Sequence, residues 1–186
     1  MRKLIAFLIF ISFGTLQAHD TTVELRAGYF YPTSKSLRKI YRDGGVEGEI
    51  ELSKNLNPNL QVWGNVNYFR KNGRSRGLRT KTKISIVPLS VGLKYVFIPY
   101  SRFRPYLGIG PSYTFTHIHN KTRFAKRHSN KNGLGFVVKS GIYYDLSCNF
   151  ILDLFFDYYY QEIHFHSGGT HQLGGLRTGI GIGYQF

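Results

Sequence analysis

The sequence predicts an all-β fold, an eight-stranded antiparallel up-and-down transmembrane β-barrel. Three observations carry this expectation. Hydrophobicity alternates with period two in eight segments, the connectors between them are alternately short and long, and each apolar face is opposed by one rich in glycine and charge. Alternation marks strands because successive side chains point to opposite sides of a sheet.

Length and composition set the frame. A chain of 186 residues is one domain's worth of polypeptide, and 21 Gly, 14 Tyr and 15 Phe suit strands rather than helices. The single Cys forms no intramolecular disulfide and there is no Cys-x-x-Cys pair, so disulfide scaffolds and cysteine zinc sites are excluded. No apolar run past residue 13 is long enough for a helical bilayer span. Arg2 and Lys3 precede an apolar run from Leu4 to Phe13 broken only by Ser12, followed by Gly14, Thr15, Leu16, Gln17 and Ala18. Residues 1–18 therefore read as a secretory signal, with the barrel domain over 19–186.

The strands are expected at about 22–31, 45–54, 60–69, 82–97, 105–116, 134–145, 149–163 and 173–186. The first sets Tyr29 and Tyr31 against Glu24 and Arg26; the second sets Val46, Gly48, Ile50 and Leu52 against Glu47, Glu49 and Glu51. Tyr68 lies on the apolar face of the third, and Tyr95 and Phe97 on that of the fourth, opposite Lys94. Pro88 interrupts the fourth, since proline cannot donate to a central ladder, and Ile84 and Ile86 share the parity of Ser90 and Lys94; a β-bulge near Pro88 is expected. The fifth carries Tyr113 and Phe115, and the sixth sets Tyr144 against Lys139. In the seventh, Phe150, Leu152, Leu154, Phe156, Tyr158 and Tyr160 oppose Asp153, Asp157 and Gln161. In the eighth, Leu176, Thr178, Ile180, Ile182, Tyr184 and Phe186 oppose Arg177 and several glycines. The short connectors are 55–59, 98–104 and 146–148, and the long ones are 32–44, 70–81, 117–133 and 164–172. Short turns at one end and long loops at the other are the layout of barrels that span a bilayer.

Apolar faces turned inward would instead give a soluble barrel around a hydrophobic cavity. Against that, glycines crowd the opposing face of the last strand, which suits a narrow interior. Tyr and Phe gather near strand ends on the apolar faces, as interfacial girdles require. An even strand count with adjacent chain ends also lets every backbone group pair in a closed sheet.

The C-terminal run Gly-Ile-Gly-Ile-Gly-Tyr-Gln-Phe, residues 179–186, resembles the assembly signal of outer-membrane proteins, with Tyr184 and Phe186 as its aromatic positions. The stretches Pro88-Leu89-Ser90-Val91-Gly92-Leu93-Lys94-Tyr95 and Arg104-Pro105-Tyr106-Leu107-Gly108-Ile109-Gly110 are similar to strand signatures of the outer-membrane protein beta-barrel domain family. That family contains small eight-stranded barrels resembling OmpX and OmpW. The resemblance implies a fold, a bacterial outer-membrane location after signal cleavage and engagement of the outer-membrane assembly machinery. It implies no single activity.

An eight-stranded barrel is narrow enough for side chains to fill. The inward set is expected to hold Glu24, Glu47, Glu49, Glu51, Asp153 and Asp157 with Arg26, Lys94, Lys139 and Arg177. Buried charges persist only when paired, so an interlocked salt-bridge network is expected, structural rather than conducting. A cation path along the Glu47, Glu49 and Glu51 ladder is the alternative.

Sixteen of the 25 Lys and Arg residues lie in or beside the first three long connectors, opposed there by Asp43 alone. Lys35, Arg38, Lys39 and Arg42 belong to the first; Arg70, Lys71, Arg74, Arg76 and Arg79, with Lys81 and Lys83, to the second; Lys121, Arg123, Lys126 and Arg127, with Lys131, to the third. A secreted chain does not meet nucleic acid, so the expected partners are outer-membrane lipid, lipopolysaccharide phosphates and anionic glycans. His117, His119, His128, His164, His166 and His171 fall at the same end. Their two His-x-His pairs would suit Zn²⁺ or Cu²⁺, but the fifth and seventh strands are not neighbours and no carboxylate or Cys accompanies the histidines in their loops; no metal or cofactor is expected. His166 and Ser167 beside Glu162 invite a lipid-hydrolase reading, yet His and Ser are adjacent rather than two apart, and no Asp or Glu follows Glu162. The expectation is a monomeric, non-enzymatic barrel binding or adhering to anionic surface polymers. A narrow channel for small or hydrophobic solutes and a lipid A-modifying enzyme are the alternatives.

Overall fold

The computed structural model describes residues 21–33, 44–74, 81–120, 128–165, 169–172 and 174–186. Its strands in chain order are β1 (Thr21–Pro32), β2 (Gly45–Asn57), β3 (Leu60–Arg74), β4 (Lys81–Val96), β5 (Phe103–Asn120), β6 (His128–Asp145), β7 (Phe150–Phe165), β8 (Gly169–Gln172) and β9 (Gly175–Gln185). Because β8 and β9 both pair with β7, the two segments make one barrel strand, and the barrel has eight. From β1 to β7 each strand pairs antiparallel with the next, and β9 pairs with β1 to close the sheet. Closure pairs the first strand with the last, as a hydrocarbon environment demands. At the seam the Phe186 amide donates to the Thr21 carbonyl at 2.9 Å.

The barrel is inverted relative to a soluble one. Leu25, Ile50, Val91, Ile109, Leu154 and Ile180 point outward, each more than half exposed, whereas all ten charged residues expected inside are at most 5 % exposed. Aromatic side chains ring the outer wall at both ends. Phe150 and Tyr184 meet at 5.1 Å between ring centroids and Tyr95 and Phe97 at 5.0 Å near the short turns; Tyr113 and Phe115 at 5.0 Å and Phe136 and Tyr160 at 5.2 Å lie near the long loops. Such belts match the two bilayer interfaces. Inside, glycine makes room for charge: a Cβ on Gly181 would lie 2.8 Å from Arg26 Cγ, and one on Gly183 2.8 Å from Glu24 Cγ.

Three expectations are corrected. There is no bulge at Pro88. Pairing of β3 with β4 skips Asn67, Tyr68, Val87 and Pro88 and resumes in the same register at Phe69↔Ile86, so the missing proline donor leaves a gap rather than a shift. Parity therefore continues unbroken, and Ile86 and Pro88 face the lumen beside Phe30 and Phe69. A register shift does occur, but between Asn55 and Asn57 at the first short turn. Second, the strands outlast the hydrophobic alternation. β3 continues to Arg74 and pairs there with Lys81, while β5 reaches Asn120 and β6 begins at His128. Backbone pairing needs no alternation of side-chain polarity, so the sheet runs on past it. Arg70, Lys71, Arg74, His117, His119 and His128 are accordingly strand residues, not loop residues. Third, the last strand is two segments, broken near Gly174. The expected signal over 1–18, the cations Lys35, Arg38, Lys39, Arg42, Arg76, Arg79, Lys121, Arg123, Lys126 and Arg127, and the pair His166 and Ser167 lie outside the described residues.

Candidate functional site

Two regions concentrate chemistry: the lumen and the long-loop end. In the lumen, β1 supplies Arg26, whose Nε donates to Asp153 Oδ2 at 2.7 Å and whose Nη1 donates to Glu49 Oε1 at 3.1 Å and Asp157 Oδ2 at 3.3 Å. Lys139 on β6 donates to Glu49 Oε1 at 2.7 Å and also pairs with Glu51. Lys94 on β4 donates to Glu51 Oε1 at 2.6 Å. Arg177 on β9 pairs with Glu49 and lies 3.4 Å from Glu47 Oε1. Each of the ten charged residues thus enters one connected set. Glu24 joins it through Tyr143, whose hydroxyl donates to Glu24 Oε1 at 2.8 Å and accepts from Lys94.

Aromatic and amide residues complete the set, and alternation alone did not mark them as partners. Tyr106 accepts from Arg26 and donates to Asp153 Oδ1 at 2.9 Å. Asn67 donates to the Tyr159 hydroxyl at 2.7 Å, and Arg177 Nη1 donates to both Asn67 Oδ1 and the Tyr159 hydroxyl at 3.1 Å. Asn65 donates to Glu49 Oε1 at 2.9 Å. Rings also stack on the cations: Arg26 Cζ is 4.2 Å and Arg177 Cζ 4.8 Å from the Phe155 centroid, and Lys139 Nζ is 4.6 Å from that of Trp63. The available signal was parity, since Tyr106 shares that of Arg104, and Phe155 and Tyr159 that of Asp153 and Asp157. Tyr106, Tyr143 and Tyr159 are in neither the girdle nor the inward set expected from the sequence.

Above the network, Phe30, Glu47, Phe69, Ile86, Pro88, Tyr159 and Gln161 surround a cavity of about 30 Å³, room for a single water. Phe30 and Phe69 meet edge to face at 5.4 Å. Among the described residues, charged side chains from β1, β2, β6 and β9 meet one another across the lumen. Among the described residues, no group of three His, Cys, Asp or Glu is placed to hold a metal ion.

At the long-loop end, register gathers part of the basic set onto neighbouring strands. Arg74 pairs with Lys81, Asn72 with Lys83, Lys83 with His119 and His119 with His128. Arg70 lies one step below, exposed, opposite Ser85. At the other end Tyr184 and Phe186 lie 4.9 Å apart between ring centroids, on the outer wall.

The profile of the outer membrane protein beta-barrel domain matches residues 4–186. The chain belongs to the outer-membrane protein beta-barrel domain family. Among solved barrels of this kind, OprG from Pseudomonas aeruginosa superposes with a TM-score of 0.65 at 18% identity, covering 91% of this chain and 96% of OprG. Neisserial surface protein A gives 0.64 at 18% identity, covering 89% of this chain and 97% of that one. Ail, the attachment invasion locus protein of Yersinia pestis, solved in complex with the heparin analogue sucrose octasulfate, gives 0.62 at 12% identity, covering 90% and 98%. At these identities the likeness is one of fold. Comparison with curated protein sequences finds no match. This family member is an outer-membrane barrel protein.

Proposed function

We propose that this outer-membrane barrel is a non-enzymatic surface-binding protein that uses its basic long-loop end to hold or adhere to anionic polymers, with lipopolysaccharide and acidic or sulfated glycans as partners. The observation that carries the reading is the segregation of charge. Sixteen of 25 Lys and Arg residues belong to the long-loop side, while the lumen's four cations are consumed by its own carboxylates. Cations on separate loops suit irregularly spaced phosphates or sulfates better than one fixed carboxylate. Exposed pairs are worth only ~0–1 kcal/mol each, so affinity must come from several acting together. The packed lumen weighs against a solute channel. His166 beside Ser167, with no Asp or Glu after Glu162, weighs against hydrolysis. The protein works as a monomer, and Tyr184 and Phe186 serve recognition by the assembly machinery.

The test is a salt series of binding to a heparin-like oligosaccharide by refolded protein. Saturable binding should weaken steeply as the Debye length shortens from ~10 Å at 0.1 M to ~3 Å at 1 M. Replacing Arg74, Arg76 and Arg79 together by Ser should remove much of it with the barrel intact. No saturable binding at low salt, or binding untouched by the replacement, would leave the basic end with a solubility role.

A further inference from the structure

We infer that a groove in the outer wall of β2–β6 is a seat for an anionic glycerophospholipid, with its acyl chain in the groove and its phosphate at Lys54. The seat opens toward the short turns, away from the basic loops, and does not depend on the polyanion reading above. The groove has a volume of about 790 Å³, within the ~300–1,000 Å³ of small-molecule sites. Gly64 makes the room: in the register row Leu52, Gly64, Val91 it leaves a gap between two outward apolar side chains. A Cβ there would meet only ordinary contacts, at 3.6 Å from Val91 Cγ1 and 3.8 Å from the Ser90 carbonyl oxygen. The adjoining row begins at Ile50, Val66 and Leu89 and continues through Tyr113 to Leu134.

Lys54 closes the lower end of the groove. It shares the outward parity of Ile50 and Leu52, while Glu51 and Ser53 between them are buried inside. Its register partners Thr21 and Val62 line the groove with it. Lys54 stands three residues before Asn57, where β2 ends at a short turn. A lysine at that depth keeps its stem on the apolar wall while its ammonium reaches the interface. None of the ion pairs among the described residues includes it, so its charge is open to a phosphate.

The course of the groove fits an acyl chain. Ile50 lies seven residues from the short-turn end of β2 and Leu134 eleven from that of β6, so the groove climbs away from Lys54. Four interstrand spacings make it about 19 Å long, and an inclination of about 40° makes it rise about 12 Å, inside the ~15 Å of one leaflet's hydrocarbon. A polypeptide segment fits less well. Gly64 is already paired on both sides within the sheet, so there is no ladder to extend, and the polar backbone of an intruding segment would be stranded in hydrocarbon. An acyl chain brings no polar group and supplies the contacts that an empty groove lacks. Short turns face the periplasm in barrels of this kind, and the phosphates of that leaflet belong to glycerophospholipids.

The test places the refolded full barrel in nanodiscs of mixed phosphatidylglycerol and phosphatidylcholine and counts retained lipid by native mass spectrometry. Phosphatidylglycerol should be retained over phosphatidylcholine by about threefold to fivefold, the preference one exposed cation supplies. Lys54→Ser should bring that ratio close to one without lowering the total retained, and Lys54→Arg should keep it. Gly64→Leu, which fills the groove, should lower retention of both lipids. Gly48→Leu adds the same side chain on the outer wall one register row beyond Ile50, in open space, and should change neither quantity. Heat-modifiable gel migration certifies folding, and Gly64→Ala gives a smaller loss in the same direction should Gly64→Leu misfold. A wild-type ratio near one, a preference that survives Lys54→Ser, or equal effects of the two glycine replacements overturns the inference. So does a dimer that Gly64→Leu dissolves, since the groove would then belong to a second copy of the chain.

Discussion

Lys139 and Glu49 bridge the whole lumen: they stand on β6 and β2, four strands apart in a barrel of eight, and Lys139 Nζ donates to Glu49 Oε1 at 2.7 Å. Their union at the axis shows how narrow the interior is. Charges here serve as packing as well as pairing, because a closed sheet with an apolar exterior has no other place for polar side chains to be satisfied.

Lys139→Met should therefore destabilise the barrel strongly. It leaves Glu49 and Glu51 short of their shared cation, and breaking a buried pair costs about 3–5 kcal/mol. Urea unfolding of refolded protein followed by gel mobility measures this. The double variant Lys139→Met/Glu49→Leu should lose less than the sum of the single losses, because it removes both partners. Additive losses would mean that the two side chains do not interact.

Tyr143→Phe isolates a smaller contribution. The hydroxyl links Lys94 to Glu24, and its removal leaves the Glu24 carboxylate without its donor at a cost of about 1–3 kcal/mol. The same change at Tyr144, an outward girdle residue, should have little effect on unfolding. Equal effects at the two neighbours would contradict the assignment of faces.

Much of this interior was legible in the sequence and part was not. The Glu47, Glu49 and Glu51 alternation identifies a polar face outright, since three acids on every second residue cannot face lipid. Trp63, Tyr106, Tyr143 and Tyr159 were obscured because an aromatic residue satisfies both a girdle position and a lumen position, and only register tells them apart. Pro88 misled for a related reason: a missing donor signals either a bulge or a gap, and the ladders on both sides of β4 are needed to choose. The strand extensions to Arg74 and Asn120 left no mark because hydrophobic alternation reports the membrane's thickness, not the length of the sheet.

Phe186→Ala should lower outer-membrane insertion in cells while leaving the seam hydrogen bond to Thr21 available, because that bond uses the backbone amide. Protease protection and heat-modifiable migration of membrane fractions report the yield. Wild-type yields would show that the resemblance of residues 179–186 to an assembly signal carries no function.

Gly181→Val tests the crowding of the lumen. The added side chain would meet Arg26 Cγ and Asp153 Cβ, and overpacking a filled interior costs about 1–3 kcal/mol. Gly48 faces outward with open space around its Cβ position, so Gly48→Val should be tolerated. A reversed order of these two effects would mean that inside and outside have been exchanged.

The central claim is that the protein acts through its outer surface and not through its interior, and single-channel recording of the refolded barrel in a planar bilayer tests it most directly. With Lys139, Arg26 and Arg177 locked to carboxylates across the axis, the current should stay at the baseline of the protein-free bilayer over the voltage range. Discrete, reproducible conductance steps from protein of verified barrel structure, changed in size by Lys139→Met, would contradict it and make the lumen the functional site.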